Sequence, residues 1–208
     1  GASFETYASI RIRGAMLDEI RRTSGPIEGI LHGAGIDRSC RFDRKQAEVV
    51  RQTIGAKVDG AAHLMALTRR DPVRYFIGFG SISGRFGGNG LADYAAGNDA
   101  MAKLIDWFRS ARPECTSGCI HWESWEGAGM ATVPRYAFGP RAVMNMKYML
   151  PEEGVCRLEH ELIAGFPEAE VLYTFGDFYP MFYPLEQRPL GEFVPGAVMA
   201  AVEETAAP

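Results

Sequence analysis

Ser81 and Tyr94 stand thirteen positions apart, and Asn98 follows the tyrosine by four. Residues four apart on a helix lie one above the other, so a helix opening at Tyr94 carries Asn98 on the same face. A strand that delivers Ser81 to this helix brings a hydroxyl and a phenol to one point. Such a pair suits protonation of a carbonyl oxygen while hydride reaches its carbon, a reaction that draws on a bound reduced nicotinamide. Taken singly, each residue has a plainer reading. Ser81 lies in the turn-like run Gly80-Ser81-Ile82-Ser83-Gly84, and Tyr94 and Asn98 are types that cap or pack helix starts.

The elements that must position these groups alternate between strand and helix. Met16, Leu17 and Ile20 give Ala15 to Arg22 the pattern of a short amphipathic helix, closed by Ser24-Gly25-Pro26. Ile27 to Leu31 reads as a strand running into His32-Gly33-Ala34-Gly35, where glycine lets the backbone turn tightly or approach a ligand. Asp43 is positioned to cap a long helix from about Arg44 to Thr68, with Lys57 in its middle. Arg74 to Phe79 is a second strand, leading to the Ser81 loop, and the Tyr94 helix spans about Ala92 to Ser110. Gly118 to Trp122, a helix from about Glu152 to Ala164, and Val171 to Phe175 complete the series. Apolar strands alternating with helices predict an α/β fold, a Rossmann-like doubly wound parallel sheet. Ligands bind such sheets beyond the carboxyl ends of the strands, where His32 to Gly35, Ser81 and the Trp122 to Gly129 loop all fall.

The 208 residues are 47% hydrophobic, ample for a packed core, and carry a formal net charge of −4 with both signs interspersed. There is no basic footprint for nucleic acid and no cationic face for a membrane. No apolar run approaches the ~20 residues of a membrane span, and the chain opens on no secretory signal, so a cytoplasmic location is expected. The four cysteines are too scattered for a disulfide framework. Cys115, Cys119 and His121 lack the second ligand pair of a zinc site, and no metal is expected. Gly78-Phe79-Gly80 with Gly84 imitates a phosphate loop, but its place at the Ser81 strand end assigns it to the substrate side.

From Gly80 to Asn98 the sequence resembles the short-chain dehydrogenase/reductase family, and more narrowly the ketoreductase domains of polyketide synthases and polyunsaturated fatty acid synthases. Those domains are similar to this chain in placing asparagine four residues after the tyrosine, with the lysine on the preceding long helix. Here these are Asn98 and Lys57. His32-Gly33-Ala34-Gly35, Ala56-Lys57-Val58-Asp59-Gly60 and Trp122 through Trp125 to Gly129-Met130 also resemble the family's surroundings. The resemblance implies that Tyr94 protonates the ketone and that Ser81 holds its oxygen. It implies further that Lys57 supplies charge to the phenol and binds the nicotinamide ribose, while Asn98 holds the lysine or a water. His32, Ala34 and Gly35, with Lys57 and Tyr94, then face NADPH. The implied substrate is a β-ketoacyl group on the phosphopantetheine of an acyl carrier protein.

The chain departs from that family in three places. The glycine-rich turn that holds the cofactor pyrophosphate, with the first strand and helix units, is not found before Ala15, so the expectation is a partial domain over residues 1–175. A missing N-terminal half or neighbouring synthase domains are expected partners, and residues 176–208 read as a proline- and aromatic-rich arm or linker. The Leu-Asp-Asp signature of some ketoreductases is Ile36-Asp37-Arg38 here, and the tryptophan that others carry eight residues before the tyrosine is Phe86, so neither stereochemical class is indicated. Two other readings stand beside the ketoreductase one: a non-catalytic structural half of a megasynthase, and a free-standing reductase of small ketones.

Overall fold

The computed structural model describes residues 4–132 and 148–174; the arm expected at 176–208 lies outside them. Four strands, β1 (Gly29–His32), β2 (Tyr75–Ser81), β3 (Thr116–Trp122) and β4 (Glu170–Leu172), form one sheet in that spatial order. Every pairing is parallel, with Ile30 opposite Phe76, Ser81 opposite Trp122 and Cys119 opposite Glu170. Parallel neighbours need crossovers rather than hairpins. Helix α1 (Phe4–Ser24) precedes the sheet; α2 (Ala47–Leu67), α3 (Ser83–Phe86), α4 (Ala92–Ala111) and α5 (Pro151–Ala164) lie between strands. The expected Rossmann-like α/β architecture is what the chain adopts.

Phe76 and Ile77 are adjacent on β2, point to opposite faces, and are both fully buried, so both faces of the sheet are covered. On the α2 and α4 side, Ile30, Ala61, Met65, Phe76, Met101, Ile105, Phe108 and Cys119 form the core. The Phe76 and Phe108 rings tilt at 52° with centroids 5.2 Å apart, an arrangement that adds about 0.5–1.5 kcal/mol beyond burial itself. Helices α2 and α4 cross at Gly97, where an added Cβ would sit 3.3 Å from Ile54 Cα. This close backbone approach sets the depth of Lys57 on α2 relative to Tyr94 on α4.

Several boundaries differ from the sequence reading. Helix α1 begins at Phe4, eleven residues before Ala15. The Ile10-Arg11-Ile12-Arg13 alternation has a strand's period, but no proline interrupts the stretch, and ion pairs Asp18–Arg21 and Glu19–Arg22 brace its last turns. Helix α2 starts at Ala47 with Gln46 as N-cap and no side-chain cap; Asp43 instead sits in a 3₁₀ turn, 3.1 Å from Arg41. Ser81 is the last residue of β2 rather than part of a loop, and the one-turn helix α3 follows it. Strand β4 is shorter than expected and starts one residue earlier.

Candidate active site

Ser81 ends β2, half-buried, beside Trp122 at the end of β3. The chain then leaves the sheet: Ile82 N–H donates to the Trp122 carbonyl at 3.0 Å, and α3 begins. The Ser81 hydroxyl oxygen accepts from the Ser83 amide at 3.2 Å. A hydroxyl that accepts in this way keeps its own hydrogen to donate.

Tyr94 lies in the first turn of α4 and is buried, 8% exposed. Its amide donates to Asp93 Oδ1 at 2.9 Å, and its carbonyl accepts from Asn98 Nδ2 at 2.7 Å. Asn98 is fully buried, and among the described residues its Oδ1 has no hydrogen-bond partner. Buried acceptors are normally paired, so this oxygen is an acceptor held ready for a donor such as water. Helix α3 fixes the asparagine from the other side: an added Cβ on Gly84 would lie 3.0 Å from Asn98 Cβ.

Lys57 reaches in from α2 with 3% exposure, and its Nζ donates to the Phe79 carbonyl at 2.5 Å. The lysine is thereby held against β2 two residues before Ser81. Burial draws its ammonium down to about 8, with Cys119 acting in the opposite direction. Cys119 itself is pushed up to about 12 by burial, Lys57 being the leading opposing influence, so it stays a neutral thiol. Gly35, beyond β1, lies over the lysine, and a Cβ there would stand 3.0 Å from Lys57 Cε. His32 Nε2 is 2.9 Å from the Lys57 carbonyl, which ties the lysine's own turn of α2 to the end of β1. The end of β2 is the common reference: Lys57 bonds at Phe79, Ser81 terminates the strand, and the α3 turn rests on Asn98.

The loop after β3 adds an aromatic wall. Trp122 meets Phe79 and Trp125 edge-on at 5.6 and 5.2 Å and stacks on Tyr173 at 5.7 Å. Trp125 in turn lies against Gly154 of α5. Of the site residues, Ser81 is the one paired with this wall, through Trp122; a buried ammonium, a phenol and a hydroxyl are the kinds of group that polarise and protonate a carbonyl oxygen.

Residues 11–127 match the KR domain family. The chain belongs to that family. This KR domain is 29% identical to polyketide synthase PksL of Bacillus subtilis over 162 residues, 76% of the chain but 4% of that synthase. Among solved structures, an A1-type ketoreductase superposes with a TM-score of 0.75 at 27% identity, covering 93% of this chain and 40% of that one. A gluconate 5-dehydrogenase from Burkholderia cenocepacia, in complex with NADP and tartrate, shares the fold at 18% identity, with a TM-score of 0.65 and coverage of 80% and 70%. The KR domain here thus spans a small fraction of its curated relatives and about two-fifths of the ketoreductase chain.

Three polar features of the KR domain have no sequence signal. Lys45 Nζ lies 2.6 Å from Asp93 Oδ1, an ion pair almost wholly buried beside Tyr94. Glu123, directly after β3, is buried and accepts from the Thr174 hydroxyl at 2.6 Å. His121, for which the sequence offers no partner, has Nδ1 3.0 Å from the Ser81 carbonyl and Nε2 3.0 Å from Glu170 Oε2. Among the described residues no group of three or more His, Cys, Asp or Glu side chains gathers into a metal-ligand set, and no helix is long and apolar enough to cross a membrane.

Proposed function

We propose that the chain is the catalytic part of an NADPH-dependent ketoreductase that reduces a β-ketoacyl group on an acyl carrier protein to the β-hydroxyacyl group, within a cytoplasmic polyketide or fatty acid synthase. The observation that carries this reading is the buried ammonium of Lys57, held against β2 beside Ser81. A free tyrosine ionises near ~10, so a phenol that gives up its proton near neutral pH needs a cation to support the resulting charge. In this reading Tyr94 donates the proton to the ketone oxygen and Lys57 stabilises the phenolate left behind. Ser81 donates its free hydrogen to the same oxygen, which holds the carbonyl in place, and Asn98 Oδ1 accepts from a water that returns the proton.

The residues fit the nicotinamide end of a dinucleotide. Gly35, having no Cβ, brings its backbone close over Lys57, where a side chain would press on Cε at 3.0 Å, and Lys57 would donate to the ribose hydroxyls. Ala34 and Gly35 would line that face, while His32 would act behind it by anchoring α2. The bound cofactor supplies the hydride. The pyrophosphate and adenine end would be held by a separate nucleotide-binding half, either an earlier part of the same polypeptide or a partner chain. Strand β1, which among the described residues pairs with β2 alone, is the edge to which that half would add. The carrier protein delivers the acyl group by its phosphopantetheine arm.

Tyr94→Phe in the intact polypeptide tests the assignment. NADPH-dependent reduction of a β-ketoacyl thioester should disappear while circular dichroism and tryptophan fluorescence stay as in the parent; retained turnover refutes it. If NADPH titration of the parent leaves the tryptophan fluorescence unchanged, the non-catalytic reading replaces this one.

A further inference from the structure

We propose that His121 is a positioning residue for Ser81, the anchor that fixes the serine hydroxyl through its backbone; this rests on the ketoreductase reading above. His121 is on β3 opposite Gly80, and its ring is 1% exposed. A Cβ on Gly80 would stand 2.9 Å from His121 Nδ1. The imidazole therefore lies across the position where Gly80 has no side chain, and reaches the Ser81 carbonyl at 3.0 Å. A carbonyl can only accept, so Nδ1 carries the hydrogen and donates it.

The other end of the ring is anchored as firmly. Nε2 faces a carboxylate that likewise only accepts, and it donates to Glu170 Oε2 at 3.0 Å; the same oxygen is 3.0 Å from Arg85 on α3. Glu170 Oε1 accepts from Lys103 at 2.5 Å, and Arg85 also bonds Asp99 at 3.2 Å. Burial pushes the Glu170 carboxyl up, but hydrogen bonds from Lys103 and His121 and the charges of Arg85 and Lys103 more than offset it, so it lies below its ordinary value and is ionised. One carboxylate thus holds both sides of the Ser81 turn. It holds the serine carbonyl through His121, and α3 through Arg85.

The consequence is specific to the hydroxyl. Ser81 Oγ accepts from the Ser83 amide, a bond whose geometry depends on the backbone between residues 81 and 83. Releasing the Ser81 carbonyl lets that backbone turn, which redirects the one hydrogen that Ser81 has for a substrate oxygen. Misplacement of a positioning group by about 1 Å lowers turnover by up to ~100-fold without removing any reacting group.

The test compares His121→Leu, His121→Asn, Ser81→Ala and the Ser81→Ala/His121→Leu double variant in the intact polypeptide. His121→Leu should lower kcat about tenfold with KM within about twofold, and His121→Asn, whose amide can still donate to the Ser81 carbonyl, should recover most of it. The double variant should be no slower than Ser81→Ala alone, because His121 acts through the serine. Hydrogen exchange of the Ser83 amide should quicken in His121→Leu while the α4 amides keep their protection. Unchanged kcat in a folded His121→Leu, or losses that multiply in the double variant, overturns the proposal. If no form reduces a ketone, the ketoreductase reading fails, and Ser83 exchange still decides whether His121 holds the turn: unchanged exchange overturns it. Should His121→Leu not fold, Glu170→Gln at the more accessible end replaces it. There a quickened Ser83 exchange supports the anchor and an unaltered one overturns it.

Discussion

Lys45 and Asp93 form a buried ion pair one residue before Tyr94, with Nζ and Oδ1 2.6 Å apart and the two side chains 4% and 3% exposed. Asp93 Oδ1 also accepts the Tyr94 amide, so the carboxylate ties the first turn of α4 to the segment that leads into α2. The contact is close but poorly directed: neither Lys45 Nζ nor Asp93 Oδ2 makes a hydrogen bond among the described residues. Removing one member of such a pair leaves a charge in a dry site, at a cost of about 3–5 kcal/mol, whereas replacing both with apolar residues is close to neutral. Lys45→Met should therefore lower the urea midpoint sharply, and Lys45→Met/Asp93→Leu should recover much of the loss. A single variant as stable as the parent would show that the pair is not desolvated.

The spacing of Ser81, Tyr94 and Asn98 was legible because it is set within one strand, one turn and one helix. Lys57 was legible only through family likeness; nothing local separates it from a solvated lysine on a helix. The supporting shell was not legible, since His121 and Glu170 are 49 residues apart and meet only because β3 and β4 pair. Lys45 and Asp93 likewise belong to separate segments brought together by the α2–α4 crossing. Asp43 misled for the opposite reason: it is a good N-cap type, but Arg41 is two residues away and takes its carboxylate.

Lys57 makes stability depend on alkaline pH. Burial holds its folded-state value at about 8 against 10.5 for the ordinary side chain. Between those values the unfolded chain binds a proton that the folded chain does not, so stability rises as pH increases through that window. The penalty is fully present below pH 8 and is relieved by pH 10.5; it amounts to about 3 kcal/mol at most. Lys57→Met, which has no such proton, should lose ground to the parent by that order between pH 8 and 10.5. Denaturant midpoints measured across the range check this, and a constant difference would sink it. On the proposed mechanism, turnover by the parent should decline over the same range, because a neutral lysine would no longer support a Tyr94 phenolate.

Gly84→Ala probes the contact between α3 and α4. The new Cβ would meet Asn98 Cβ at 3.0 Å and the Asp99 amide nitrogen at 3.2 Å, and backbone cannot swing aside as a side-chain tip can. Overpacking of this kind costs about 1–3 kcal/mol. The strain falls on the residue whose Nδ2 bonds the Tyr94 carbonyl, so kcat should fall along with the melting temperature. Gly87→Ala, one residue beyond α3 at φ 73° with open space around it, is the control: it should lower stability through its backbone and leave kcat unchanged.

Arg21 and Asp71 pin α1 to the segment between α2 and β2. Arg21 Nε and Nη2 donate to the two Asp71 oxygens at 3.0 and 2.6 Å, and Nη2 also reaches the Leu67 carbonyl at 2.9 Å. Asp71 is buried, and the bidentate bond from Arg21 holds its carboxyl below the ordinary value despite that burial. A depressed carboxylate stabilises the fold above its unfolded value of 3.8, and the contribution is lost as pH falls through the lower folded value. Arg21→Met should therefore destabilise by about 2 kcal/mol at neutral pH, since it strips a charged partner from a buried acceptor. The gap between parent and variant should close only well into acid, at a pH below 3.8. Thermal melts at stepped pH give the comparison, and a gap that stays open below the acid transition would mean that Arg21 acts through packing of its stem rather than through Asp71.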